Sequence, residues 1–313
     1  MTTPPPGVPA PALQAGPSPS RRTSDAAVTM TGVVRRFGRS LALDGVSFTV
    51  PRGSLSALVG ENGAGKTTTL SVLAGFLNPD AGSVDVLGLG PYHVSTHRGR
   101  VGILPQDAEL PGASTPRELL YAWARLQGLT AVAARRSADE CLETVLLTDR
   151  SDHRVSTLSH GMRRRLTVAS ALVGDPELIL LDEPTAGLDP AQARHLRSAL
   201  AERRGRATVL ISSHNLPELE SLCDHVVILE KGRCLLHDAM DVVTGRDREV
   251  EVILAEPFPP GRSERVHLRL PPGDRRELPD ATSALLRELL AEGARIVEVR
   301  RGGALEERYF GER

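Results

Sequence analysis

The chain has 313 residues, enough for about two domains. Its 38 basic residues are offset by 39 acidic ones, and a net charge of -1 argues against a nucleic-acid binder held by bulk charge. With 40% hydrophobic and 25% charged residues the composition is that of a globular protein; Cys141, Cys223 and Cys234 fit neither a disulfide framework nor a zinc spacing, and no run of 18 apolar residues is present to cross a membrane.

Residues 1–26 carry prolines at 4, 5, 6, 9, 11, 17 and 19 and little that could enter a core, which predicts a disordered Pro-rich tail. No basic segment leads into an apolar run there, so no signal peptide is predicted. From about 28 to 238, apolar runs alternate with helical patterns. Strands are predicted at 46–50, 55–59, 84–87, 178–181, 208–212 and 226–229, and helices at 66–75 and 191–204. Leu178-Ile179-Leu180-Leu181 is apolar throughout, as in a strand buried on both faces. Strands alternating with helices predict an α/β fold with a parallel sheet. The stretch 107–173 is richer in helical pattern, notably at 116–127 and 131–146, and reads as a helical insertion. Beyond residue 241, Pro257, Pro259, Pro260, Pro271 and Pro272 punctuate strands predicted at 249–254, 266–270 and 295–299 and a helix at 282–292. This makes 241–313 a small α+β appendage, with no chemistry of its own to name.

Two segments carry chemistry. Gly60-Glu61-Asn62-Gly63-Ala64-Gly65-Lys66-Thr67 fits G-x-x-x-x-G-K-[ST], with a predicted strand before it and a helix after it. Glycines let the main chain wrap close to a phosphate, and successive N–H groups at a helix N-terminus supply partial positive charge. Lys66 offers a compact charge to the β- and γ-phosphates, and Thr67 a hydroxyl to Mg²⁺. The chain has only two lysines, Lys66 and Lys231, and arginine cannot copy a compact ammonium. The second segment is the buried strand ending in Asp182-Glu183. Strand ends line the crevice of an open α/β sheet, so Asp182 is expected to hold Mg²⁺ and Glu183 to act as general base for an attacking water.

These residues, with others along 28–238, resemble the ATP-binding subunit of an ABC transporter. Phe37 matches the aromatic that stacks on adenine. Gly60, Glu61, Asn62, Gly63, Ala64, Gly65, Lys66, Thr67 and Thr68 match the Walker A loop, and Gln106 the Q-loop glutamine. Leu158-Ser159-His160-Gly161-Met162 matches the signature motif. The strand ending in Asp182 and Glu183 matches Walker B and the catalytic glutamate, Ala186-Gly187-Leu188-Asp189 the D-loop, and His214 the switch histidine. The resemblance implies a P-loop NTPase-type parallel sheet core with an antiparallel β subdomain, a helical insertion at about 107–173 and an ATP-binding domain spanning 27–240. It also implies ATP and Mg²⁺ as cofactors, with Thr67, Gln106 and Asp182 toward the metal and Glu183, His214 and Lys66 toward hydrolysis. Two such subunits would sandwich ATP head to tail, Ser159 and the Gly161 N–H of one meeting the Walker A loop of the other. The expected partners are a second copy and an integral-membrane permease, with no nucleic acid, and the expected place is the cytoplasmic face of the cell membrane.

His160 departs from the family's usual glycine, and its side chain is expected to point away from phosphate. Met162 replaces the commoner glutamine and Phe37 the commoner tyrosine. An interval of 40 residues from Lys66 to Gln106 (106 minus 66), the run Ser-His-Gly-Met-Arg-Arg-Arg and the terminal Leu305-Glu306-Glu307-Arg308 resemble the ABC-2 type, a branch that includes exporters. Two other readings stay open at this point: a soluble ABC ATPase, and an ATP-binding regulator that does not drive transport. The 112 residues from Lys66 to Leu178 (178 minus 66) hold no long heptad run, and one nucleotide domain is present, both of which weigh against the first. Intact Lys66, Asp182, Glu183 and His214 weigh against the second.

Overall fold

The computed structural model describes residues 25–106, 108–245, 249–256, 265–270 and 278–301. Residues 1–24 of the expected tail, and the 305–308 segment compared above, lie outside the described residues.

Three sheets organise these residues. Strands β1 (Ala26–Phe37), β2 (Ser40–Pro51) and β4 (Ala81–Val86) form an antiparallel sheet in the order β2-β1-β4. Strands β3 (Leu55–Val59), β5 (Val101–Leu104), β6 (Leu178–Asp182), β7 (Thr208–Ser212), β8 (His225–Glu230) and β9 (Arg233–Ala239) form the central sheet, in the order β5-β6-β7-β3-β8-β9. Every pairing in it is parallel except β8 with β9. Strands β10 (Glu249–Leu254), β11 (Arg265–Arg269) and β12 (Ile296–Arg301) make a third, antiparallel sheet in the order β11-β10-β12.

The largely apolar, fully buried strands β3, β6 and β7 have a direct cause: both faces of the central sheet are covered. Alternate residues divide between two cores. Leu55, Ala57, Ile179, Leu181, Val209 and Ile211 pack on one side with the helical insertion. Leu58, Leu178, Leu180 and Leu210 pack on the other with Met30, Val46 and Phe48 of the antiparallel sheet. The insertion supplies α3 (Pro116–Leu126), α4 (Ala131–Thr144) and α5 (His160–Leu172), whose Leu120, Ala138, Leu142, Leu166 and Ala169 share the first core. Between β5 and α5 the fit is close enough that a Cβ at Gly102 would strike the Ala171 carbonyl. The β10-β11-β12 sheet packs Val250, Val252 and Leu254 with Ala281 and Leu289 of α9 (Leu278–Ala291) in a core of its own.

The remaining helices are α1 (Lys66–Leu73), α2 (Val94–His97), α6 (Pro190–Ala201), α7 (Leu216–Leu222) and α8 (Met240–Thr244). Helix starts follow capping chemistry. Thr115 and Glu118 form a reciprocal capping box with Pro116 at the first helical position, and Asp189 accepts from the N–H groups of Ala191 and Gln192 at 3.0 and 2.9 Å. The α/β expectation holds, and the strands read at 55–59, 208–212 and 249–254 coincide with β3, β7 and β10. The strand read at 266–270 is shifted by one residue, and the other strands run longer than predicted. β1, β5 and β9 are additions to the reading above, and Ala26, placed in the tail, opens β1.

Candidate nucleotide site

Because β3, β5, β6 and β7 run parallel, their C-terminal ends lie on one edge of the sheet, and each is followed by a segment singled out above. After β3 the chain turns through residues 60–65 into α1. Gly63 and Gly65 take left-handed φ angles of +81° and +104°. Gly65 needs glycine twice over, since a Cβ there would lie 2.9 Å from both the Ala42 carbonyl and Leu43 Cδ2. Lys66 is 8% exposed, and its Nζ donates to the Gly60 carbonyl at 2.6 Å and the Glu61 carbonyl at 3.1 Å. The ammonium is therefore held over the mouth of its own loop.

Thr67 Oγ1 donates to Gln106 Oε1 at 3.4 Å, so the first turn of α1 meets the segment after β5. Asp182 ends β6 at 2% exposure, and Ser212 Oγ on β7 donates to its Oδ1. Thr67, Gln106 and Asp182 bring hydroxyl, amide and carboxylate oxygens, a hard donor set that fits Mg²⁺. No cluster of three or more His, Cys, Asp or Glu suited to a metal exists among the described residues.

Glu183 is strained. Its φ is +51°, a region that costs a non-glycine residue about 1 kcal/mol or more. The Glu183 N–H donates to the Ser212 carbonyl and to Ser212 Oγ, each at 3.1 Å, and its carboxylate Oε2 lies 2.9 Å from His214 Nδ1. A carboxylate beside an imidazole at a strand end can take a proton from water, and the structure brings the two together.

Phe37 stands on the β1–β2 hairpin, 47% exposed, with the Arg35 guanidinium 5.0 Å from its ring centroid and Asp80 paired to that arginine at 3.0 Å. Ser159 caps α5, accepting from the Met162 N–H at 3.3 Å. Gly161 and His160 follow in its first turn. A Cβ at Gly161 would lie 3.4 Å from Gln192 Oε1, and the His160 ring rests against Gly187, 3.1 Å from where a Cβ would stand there. Within the chain, the signature segment thus faces the 186–189 loop. The cysteines are free thiols; burial pushes Cys141 and Cys234 up to about 11 and Cys223 higher still, which leaves them chemically idle.

Two residues of this site escaped the sequence reading, Ser212 described above and Arg164. Arg164 on α5 donates from Nη2 to the Asp182 carbonyl at 2.8 Å and the Glu183 carbonyl at 2.6 Å, and from Nη1 to the Gln106 carbonyl at 3.3 Å. Its neighbours Arg163 and Arg165 instead reach Leu158 and the carbonyls of Val145 and Leu146. Three consecutive arginines look alike in sequence, and the signal that separates them is helical rotation.

The chain was compared with known proteins. Residues 43–186 match the model of the ABC transporter family. A Nod factor export ATP-binding protein I from Burkholderia lata is 45% identical over 220 residues, which cover 68% of this chain and 71% of that protein. Its counterpart in Burkholderia pseudomallei is 46% identical over 222 residues, 69% of this chain and 72% of that one. A solved structure of the ATP-binding subunit of an ABC transporter superposes with a TM-score of 0.64 at 28% identity, over 70% of this chain and 92% of the other. With identity at this level over more than two thirds of its relatives, the chain belongs to the ABC transporter family, among the ATP-binding subunits.

Proposed function

We propose that this chain hydrolyses ATP to drive export through a separate membrane-spanning partner. Hydrolysis is general to the family; the coupling to export is drawn from the relatives' names and from the branch resemblance. The observation that carries the reading is the convergence of Lys66, Thr67, Gln106, Asp182, Glu183 and His214 on one sheet edge. In this reading Gly60, Glu61, Asn62, Gly63, Ala64, Gly65, Lys66, Thr67 and Thr68 hold the phosphates and Phe37 stacks on the base. Thr67, Gln106 and Asp182 would hold Mg²⁺, which would supply charge neutralisation to the phosphates. Glu183 takes the proton of the attacking water, and His214 holds that carboxylate in place.

Ser159 and Gly161 serve the site of a second copy. As a cap, the Ser159 hydroxyl uses its oxygen and keeps its hydrogen for a phosphate. The boundaries 27–240 for the ATP-binding domain and 241–313 for the appendage belong to the same proposal, as does a peripheral position on the cytoplasmic face of the membrane. No helix among the described residues is long and apolar enough to cross a membrane.

The test is ATP turnover against protein concentration, with Glu183→Gln alongside. Turnover per chain that rises with concentration and is lost in the variant is expected; ordinary turnover in Glu183→Gln removes Glu183 as base. Co-purification with a membrane-spanning chain from native cells checks the transport assignment, and recovery from those cells with no membrane-spanning partner favours the soluble reading.

A further inference from the structure

We infer that Arg164 is a positioning residue for hydrolysis, which aims the Glu183 carboxylate by fixing the main chain on which it is carried. The inference rests on the reading of Glu183 as general base.

The strand end at 182–183 leaves β6 in a conformation that the local backbone does not favour, with Glu183 at φ +51°. Something must hold it there. The N–H side is held by Ser212 on the neighbouring strand. The carbonyl side is held by one guanidinium nitrogen of Arg164, which takes the carbonyls of both Asp182 and Glu183 at 2.8 and 2.6 Å. Hydrogen bonds from a charged donor are about twice as strong as neutral ones. Two short ones on consecutive carbonyls fix the peptide plane between Asp182 and Glu183. With that plane fixed, the Glu183 side chain has few ways to leave His214.

The same guanidinium reaches the Gln106 carbonyl at 3.3 Å. It thereby joins three segments of the site that are remote in sequence: the turn after β5, the end of β6 and helix α5. Arg164 also stands five residues beyond Ser159, which caps the same helix. At about 1.5 Å per residue the two are some 7.5 Å apart along the axis. A shift of α5, whatever engages its N-terminus, is transmitted to the carbonyls that hold Glu183.

The experiment is steady-state turnover, nucleotide affinity by a fluorescent ATP analogue, and a double-mutant cycle with Glu183→Gln on the full chain. Arg164→Met keeps an unbranched apolar stem and removes the donors. It is expected to lower kcat about 10- to 100-fold, the scale of a small misplacement of a reacting group, with KM and nucleotide affinity within about twofold. Arg164→Lys, which keeps charge and can donate to both carbonyls, is expected to recover part of the loss, and it is read by the same criteria should the methionine variant fail to fold. In the Glu183→Gln background, Arg164→Met is expected to add little further loss, because the group it aims is already gone. Undiminished kcat, a loss of nucleotide affinity as large as the loss of turnover, or fully additive losses in the double variant overturns the inference while leaving Glu183 as base. Wild-type turnover in Glu183→Gln alone overturns the base reading, and the inference with it.

Discussion

His214 Nδ1 lies 2.9 Å from Glu183 Oε2, and the two side chains differ sharply in surroundings: Glu183 is 18% exposed and His214 74%. The carboxylate is fixed through its main chain, while the imidazole stands mostly in the open and is steadied chiefly by that one contact. His214 is therefore open to a nucleotide while it touches Glu183, unlike a buried structural histidine. His214→Ala is expected to leave nucleotide affinity within about twofold and to lower kcat about 100-fold, the lower end of the range for a group that assists proton transfer. Phosphate release and fluorescent-nucleotide titration separate the two quantities; a parallel loss of affinity assigns His214 to binding instead.

Ser212 is fully buried, and its hydroxyl serves both acidic residues: it donates to Asp182 Oδ1 and accepts from the Glu183 N–H. Ser212→Ala removes a donor from a carboxylate that is only 2% exposed. An unsatisfied buried acceptor costs about 1–3 kcal/mol, and that loss should appear in urea unfolding. With Asp182 less firmly held, the Mg²⁺ concentration for half-maximal ATPase should rise. Unchanged stability together with an unchanged Mg²⁺ requirement counts against this role.

How much of this was legible beforehand depends on burial. β3, β6 and β7 announce themselves because both faces are covered, so that every residue is buried and most are apolar. β1 does not, because bulges between Met30 and Val33 and between Val33 and Arg35 shift its register, and Arg35 and Arg36 interrupt its alternation. β9, on the edge of the sheet, carries Arg233, His237 and Asp238 and reads as a loop. The site followed the same logic. Lys66, Asp182 and Glu183 lie in contiguous motifs with a mechanism attached to each. Ser212 and Arg164 act through contacts to groups 29–30 and 18–19 residues away, respectively, within the 182–183 strand end, and no local pattern encodes such distances.

The phosphate loop offers a contrast within one motif. A Cβ at Gly63 meets nothing within 4 Å and suffers only from a φ of +81°. A Cβ at Gly65 meets the Ala42 carbonyl and Leu43 Cδ2 at 2.9 Å in addition to a φ of +104°. Gly63→Ala is expected to cost about 1 kcal/mol of stability, the ordinary penalty for a left-handed alanine, and to weaken ATP binding modestly. Gly65→Ala must push the loop away from the Ala42 main chain. It should lower affinity for ATP at least as far as Lys66→Ala does, as measured by equilibrium titration. Equal, mild effects at both positions contradict this packing argument.

The last expectation concerns acid. Where β5 and β6 begin, Arg100 and Glu177 form a bidentate pair, Nε to Oε1 at 2.6 Å and Nη2 to Oε2 at 2.9 Å, with Arg52 at 3.9 Å. The hydrogen bond from Arg100, against a smaller opposing effect of burial, holds the Glu177 carboxyl below its ordinary value of 4.5. A depressed carboxylate adds stability that is present in full above its unfolded value and is lost as pH falls through the folded one. Both side chains are substantially exposed, 35% and 46%, so screening limits the contribution to about 1 kcal/mol or less. Glu177→Gln should accordingly be less stable than wild type by that amount at pH 7. The difference should shrink as pH falls below about 4.5 and vanish once the folded-state carboxyl is protonated, in urea unfolding followed by circular dichroism. A difference that persists unchanged into acid would show that Glu177 acts through packing at the strand start and not through its charge.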